Sequence, residues 1–206
     1  MKLFSEKRKL FPDPSWSAED GLVAMGDELS NEILLEAYSF GIFPWPHDHM
    51  PLLWFSPDPR GVLDFEDVHV PRSLQKFLKK EPYKVTFNQC FEKVVEECAK
   101  APRPGQFGTW ITEPMKRAYA QFHHKGYAHS VECWSGSELV GGMYGVYVGG
   151  VFSGESMFFK KSNASKFCIL SLIERLKAHG DQWMDIQMLT PVTELLGGKY
   201  LPRDEY

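Results

Sequence analysis

The sequence predicts a mixed α/β fold of the α+β kind, with a small N-terminal domain over residues 1–61 and a larger domain over 62–206. Three observations predict it. Helical and strand periodicities alternate from residue 71 onward. An apolar stretch over 138–159 is broken at Gly149-Gly150, which reads as an antiparallel hairpin at the centre of the larger domain. A tract of prolines and aromatics at 41–61 separates that pattern from what precedes it.

In chain order, LSNEILLEAYSF (29–40) reads as a helix. Ser30 suits an N-cap, Ile33, Leu34, Ala37 and Phe40 recur at helical spacing, and Gly41 stops it. In the tract that follows, Pro44, Pro46, Pro51, Pro57 and Pro59 forbid regular helix and leave a stiff loop or edge-strand region that displays Trp45 and Trp54. Residues 71–80 form a helix entered through Pro71, 83–88 a strand and 90–99 a helix. A loop rich in Pro and Gly (101–108) leads to a helix over 113–125 with Pro114 in its first turn. HSVECW (129–134) is a strand, then come the hairpin, an amphipathic helix over 165–179 and the strand WMDIQM (183–188).

Composition narrows the function classes. With 43% hydrophobic and 24% charged residues the chain is no disordered polymer. Six Trp and fifteen Phe exceed what a core of this size takes, so some are expected to line a pocket. The net charge of −4 excludes a uniformly basic nucleic-acid coat and leaves room for a local basic patch. Residues 1–60 carry ten Asp and Glu against five Lys and Arg. The four cysteines show no CxxC spacing and read as free thiols of a reducing compartment. Lys7, Arg8 and Lys9 stand where a signal peptide needs its apolar run. The longest uncharged stretch, 139–154, is shorter than the roughly 20 residues of a spanning helix. A soluble cytoplasmic protein without membrane association is expected.

Three features suggest chemistry. In the helix 71–80, Arg72, Lys76, Lys79 and Lys80 share one face and Leu74, Phe77 and Leu78 the other. A solvated face is the plain reading, but no acid on the helix balances the cations, which suits contact with a phosphate backbone. In SGESMFF, Glu155 sits inside an apolar run, where a carboxylate is costly unless paired, so it reads equally as a structural salt bridge or a reacting group. In WMDIQM, alternation puts Asp185 and Gln187 on one strand face, able to position an amine or a carbonyl or simply to bond neighbouring backbone. Other candidates carry less. The HDH of 47–49 lacks further zinc ligands, His123-His124 lacks a HExxH frame, and Ser56, Ser153 and Ser156 lack a nucleophile elbow. GGMYG (141–145) is no phosphate loop and marks a bulge that opens the sheet. On these grounds a transferase, a nucleic-acid-binding module and a peptide-binding groove all stay open.

The motifs go further. DGLVAMGDELS (20–30), AYSFGIFPW (37–45), LLWFSPDPRGVL (52–63), GTWIT (108–112), GYAHSVE (126–132), ELVGGMYGV (138–146), FSGESMFF (152–159), NASK (163–166) and DIQ (185–187) stand in one order. Together the chain resembles the leucyl/phenylalanyl-tRNA–protein transferases from about residue 11 to its last residues. The resemblance implies transfer of Leu or Phe, and less well Met, from aminoacyl-tRNA to the N-terminal Arg or Lys of a protein, which marks it for N-end-rule degradation. It implies an acyl-CoA N-acetyltransferase-like second domain with a mixed, mostly antiparallel sheet, no metal or coenzyme, and a monomer whose partners are the acceptor stem and 3′ end of aminoacyl-tRNA and proteins beginning with Arg or Lys.

By the same resemblance Tyr38 and Trp45 border the terminal adenosine and aminoacyl group. Trp110, Met143 and Phe152 line the amino-acid pocket. Glu155, Asp185 and Gln187 form the reacting centre, and Arg72, Lys76, Lys79 and Lys80 hold the tRNA acceptor stem. The chain departs from the family pattern at Ile186, where DCQ is usual, and at about Leu172, a pocket position that is aromatic in some members. It also departs in its PRDEY ending (202–206) and in PRPGQFG (102–108), which lengthens a loop near the pocket.

An aminoacyl-tRNA is an activated ester and an α-amine has a pKa near 8, so neither a strong base nor a covalent intermediate is needed. Holding the two substrates together can supply roughly 7–11 kcal/mol. Two rivals remain: a non-catalytic tRNA- or N-degron-binding module, and an acetyl-CoA-dependent N-acetyltransferase. KKSNASK (160–166) stands where the latter would carry its pyrophosphate-binding glycines.

Overall fold

The computed structural model describes residues 10–26, 28–47, 49–80, 82–102 and 109–206. Residues 103–108 of the PRPGQFG loop, Lys7, Arg8 and Lys9 lie outside them.

Strands β1 (Leu22–Met25), β2 (Phe43–Trp45) and β3 (Leu53–Phe55) form a three-stranded antiparallel sheet in the order β1-β3-β2. Helix α1 (Asn31–Ser39) links β1 to β2, and the Ser30 side chain accepts the Ile33 amide as its N-cap. The proline-aromatic tract is therefore partly strand. Pro44 is tolerated because β2 has a single neighbour and can spare an N–H.

Seven strands form the second sheet: β4 (Arg60–Asp64), β5 (Lys84–Phe87), β6 (Ala128–Ser135), β7 (Glu138–Val148), β8 (Val151–Phe159), β9 (Trp183–Gln187) and β10 (Lys199–Leu201). Their order is β10-β4-β9-β8-β7-β6-β5. Every neighbouring pair is antiparallel except β8 and β9, which run parallel and pair at Ser153 and Asp185. The sheet is mixed and mostly antiparallel, as expected. The division at residue 61 falls inside β4.

Helices α3 (Phe91–Lys100) and α4 (Glu113–His124) join α1 on one face, where Leu34, Met115, Tyr119, Phe122 and Tyr144 are buried in one core. Helix α5 (Ala164–His179) and α2 (Arg72–Leu78) cover the other, over Leu63, Met143, Ile169, Ile173 and Met184. Thr112 caps α4 ahead of Pro114, and Gly180 ends α5 in a left-handed conformation.

The β7–β8 register slips where Tyr144 faces Ser156 and Gly145 faces Gly154, which leaves Glu155 as the extra residue of a bulge. The slip reverses the faces. Phe152 lies in the α5-side core and Phe158 in the α1-side core, although strict alternation would put them together. Gly145 permits it, since a Cβ there would stand 2.3 Å from the Ser153 carbonyl oxygen. Strands β1, β4 and β10 and helix α6 (Pro191–Leu195) are not foreseen in the sequence: β10 has three residues and α6 barely more than one turn, and the four consecutive buried positions of β4 show no alternation. The helix expected over 71–80 ends at Leu78. Among the described residues no helix is long and apolar enough to cross a membrane.

Candidate active site

Beyond Ser153 and Asp185, β8 and β9 make no further pairing, and a cavity of about 530 Å3 opens between them. Gly154, Glu155, Ser156 and Met157 line it from β8, and Ile186 to Leu189 from β9 and the segment after it. Its apolar wall is Met143, Ile169 and Met184, with Trp45 of the small sheet and Trp110 from the segment before α4. Pro191 and Tyr200 also line it, and the Tyr200 hydroxyl accepts the Leu189 amide.

Glu155 and Gln187 face each other on this wall. The bulge aims Glu155, whose Oε1 accepts Gln187 Nε2 at 2.8 Å and whose Oε2 accepts the Tyr119 hydroxyl at 3.0 Å. Tyr119 also hydrogen-bonds Tyr38 through its hydroxyl. Burial pushes the Glu155 carboxyl up to about 7, against the pull of the Tyr38 and Tyr119 hydroxyls. Burial and the neighbouring carboxylate push both tyrosines well above their ordinary value. Gln187 holds a left-handed backbone, φ 60°. An ionised carboxylate only accepts, so Gln187 must turn its NH2 toward Glu155 and its carbonyl oxygen away from it.

Asp185 is fully buried behind this pair. Its Oδ1 accepts Arg60 Nε and the Gln187 amide, both at 2.8 Å, and its Oδ2 accepts Arg60 Nη2 at 2.7 Å. The Tyr206 hydroxyl donates to Oδ2 at 3.3 Å. Burial works against the Arg60 charge and Asp185 more than offsets it, so the guanidinium is held firmly protonated.

The residues singled out in the sequence are therefore only partly brought together. Trp45, Trp110, Met143, Glu155 and Gln187 line one cavity. Asp185 does not reach it, because its oxygens are taken by Arg60, the Gln187 backbone and Tyr206. Phe152 and Leu172 sit in the α5-side core away from the lining, Phe152 turned there by strand alternation before the bulge; one turn before Leu172, Ile169 takes the wall position. Tyr38 borders the site through its hydroxyl, which bonds Tyr119 and acts on the Glu155 carboxyl, and otherwise lines a second cavity. Arg72, Lys76, Lys79 and Lys80 are exposed on and just after α2, and none forms an ion pair with a described residue.

Ile169, Met157, Met184 and Tyr200 line the cavity unforeseen, and Arg60 behind it was equally unforeseen. A Met-rich run around an isolated carboxylate was the one signal that could have pointed to the first group. The weaker candidates have structural duties: His123 stacks on Phe91 and bonds the Ala128 carbonyl, and His47 packs beside Trp45 and Phe55. None of the four cysteines forms a disulfide. Among the described residues no group of three or more His, Cys, Asp or Glu is placed to hold a metal ion.

The sequence profile described as leucyl/phenylalanyl-tRNA protein transferase matches residues 62–206, and that of the N-terminal domain of the same family matches residues 27–58. Curated relatives named leucyl/phenylalanyl-tRNA–protein transferase include one from Anaeromyxobacter dehalogenans (strain 2CP-C), 47% identical over 196 residues that cover 95% of this chain and 84% of the relative. One from Christiangramia forsetii is 46% identical over 205 residues, covering 98% and 97%. One from Pseudomonas fluorescens is 50% identical over 187 residues, covering 91% and 82%.

Proposed function

The chain belongs to the leucyl/phenylalanyl-tRNA–protein transferase family and is an aminoacyltransferase, and we propose that its apolar cavity takes the Leu, Phe or, less well, Met side chain of an aminoacyl-tRNA while Glu155 and Gln187 receive the N-terminal Arg or Lys of an acceptor protein. One observation carries this reading: a hydrogen-bonded carboxylate and amide stand on the wall of a cavity whose lining includes Trp45, Trp110, Met143 and Met184.

The acceptor arrives as an ammonium with a pKa near 8. Glu155, poised about 7, matches it closely enough to take its proton at neutral pH. The freed amine attacks the ester carbonyl carbon, the new C–N bond forms, and the bond from that carbon to the ribose oxygen breaks. The ribose oxygen leaves with the proton that Glu155 returns, and the second proton of the attacking nitrogen passes through the again ionised Glu155 to solvent, which leaves a neutral amide. Gln187 orients the amine through its carbonyl oxygen. Trp45, Trp110 and Met143 hold the side chain, and a wall close to Cβ disfavours Val and Ile. A methylene is worth about 1–3 kcal/mol in such a pocket, so discrimination is modest.

Arg72, Lys76, Lys79 and Lys80 contact the acceptor stem by charge, and residues 1–61 act as a small domain that brings Trp45 to the 3′ adenosine. The enzyme works as a cytoplasmic monomer and feeds N-end-rule degradation. The test mixes labelled Leu-tRNA, Phe-tRNA or acetyl-CoA with a protein starting in Arg and follows label into protein. Label from both aminoacyl-tRNAs supports the reading. Label from acetyl-CoA alone points to an acetyltransferase, and binding without transfer points to a degron or tRNA binder; either result overturns it.

A further inference from the structure

Arg60 has no part in the reaction above, yet it is the largest fully buried side chain among the described residues, 1% exposed. Its guanidinium lies over the rings of Phe43 and Tyr206, 4.9 Å from each centroid, and Nη1 donates to the Gly41 carbonyl at 2.8 Å. The other two nitrogens grip both oxygens of Asp185. Asp185 in turn accepts the amide of Gln187, the residue held at φ 60°. A side chain in that region is strained and persists only where its surroundings hold it. The side-chain amide of the same residue then reaches Glu155.

We propose that Arg60, Asp185 and Tyr206 are positioning residues: Arg60, stacked on Phe43 and Tyr206, fixes the Asp185 carboxylate, and Asp185 holds the Gln187 backbone in its left-handed conformation so that the Gln187 side-chain amide meets Glu155. Asp185 acts through Gln187 and touches neither substrate. The inference rests on the reading that Gln187 and Glu155 receive the acceptor amine.

A buried ion pair by itself is weak support for a functional role, since well-packed apolar residues often replace one without loss of stability. That property supplies the test. Full-length Arg60→Met, Arg60→Met/Asp185→Leu, Arg60→Lys and Gln187→Ala variants are assayed for kcat and for KM of Leu-tRNA and of an Arg-starting acceptor, with Tm measured alongside. Arg60→Met leaves a buried carboxylate unpaired and lowers Tm. The double variant recovers Tm, but its kcat stays down by on the order of 100-fold with both KM values unchanged, because the Gln187 amide no longer has its anchor.

Arg60→Lys keeps the charge without the two-pronged grip; it folds, and its kcat falls about tenfold. Recovery of kcat together with Tm in the double variant, or wild-type kcat in Arg60→Lys, makes the pair merely structural and overturns the proposal. Wild-type kcat in Gln187→Ala instead removes the reading of Gln187 on which it rests. A slow Gln187→Ala beside a fast double variant overturns the positioning role alone.

Discussion

Glu155 owes its position to the bulge and its chemistry to its surroundings, which push its carboxyl from an ordinary 4.5 up to about 7, chiefly by burial. The same displacement acts on stability. Below pH 4.5 the group is protonated both folded and unfolded. Between that pH and about 7 the unfolded chain releases its proton first, so stability falls as pH rises. The full loss above pH 8 is at most about 3 kcal/mol, and less because the cavity lets water reach the group. Glu155→Gln abolishes this titration. Its Tm exceeds that of the wild type at pH 8, the two converge near pH 4, and transfer is largely lost. A Tm lowered equally at both pH values shows that the carboxylate is structural. The Tyr119 hydroxyl donates to the ionised form, so Tyr119→Phe moves the kcat–pH profile of an enzyme whose Glu155 is the base to higher pH.

Elements differ in how much of themselves they write into the sequence. α1 and α4 were legible because Ser30, Gly41 and Pro114 punctuate a helical period, and the β7–β8 hairpin because two long apolar runs flank Gly149-Gly150. The three-residue strands β2, β3 and β10 carry no period at all. Of the site, Glu155 and the Asp185–Gln187 pair stood out as polar groups among apolar ones, whereas Arg60 ends a proline tract and meets a partner 125 residues later. The glycines of GGMYG pointed to a bulge, and the slip falls at Gly145, but Glu155 as its extra residue was hidden, since a period-2 pattern puts Phe152 and Phe158 on one face. The bulge now supports a prediction: Gly145→Ala drives a methyl into the Ser153 carbonyl. That costs about 1–3 kcal/mol by overpacking and lowers kcat by moving Glu155, read from Tm and initial rates together. The α2 region, by contrast, holds its cations clear of the core. Neutralising Lys76, Lys79 and Lys80 to Gln raises the KM for tRNA and flattens the slope of log affinity against log salt by about 0.9 for each phosphate no longer neutralised. Transfer from a free aminoacyl-adenosine analogue stays as it was. An equal fall with both donors removes the role in tRNA binding.

At the scale of the molecule, the seven-stranded sheet separates two cores, and the α1-side core draws on both ends of the chain. Leu34, Ala37, Tyr38 and Trp54 come from before residue 61, and Phe91, Met115, Phe122 and Tyr144 from after it. Elements that share buried surface unfold together unless each can keep a core of its own, and a three-stranded sheet with one helix has little apolar surface to hold back for itself. We therefore expect one cooperative transition. Leu34→Ala, at a position with no exposure, costs about 2–5 kcal/mol and shifts the unfolding midpoint seen by Trp fluorescence and by far-UV circular dichroism to the same degree. Ile173→Ala, in the α5-side core, does the same from the other face of the sheet. If fluorescence moves ahead of circular dichroism in Leu34→Ala, the small sheet melts on its own and the premise of one unit fails. The cavity makes the coupling functional, because Trp45 reaches it from the small sheet while Glu155 and Gln187 belong to the large one. An aminoacyl-adenosine analogue that needs both walls must then stabilise the whole transition, by about 2.7 kcal/mol at a hundred times its Kd. In Leu34→Ala it raises the midpoints of both probes by the same increment, whereas a ligand held by the large sheet alone would leave an early fluorescence change where it was.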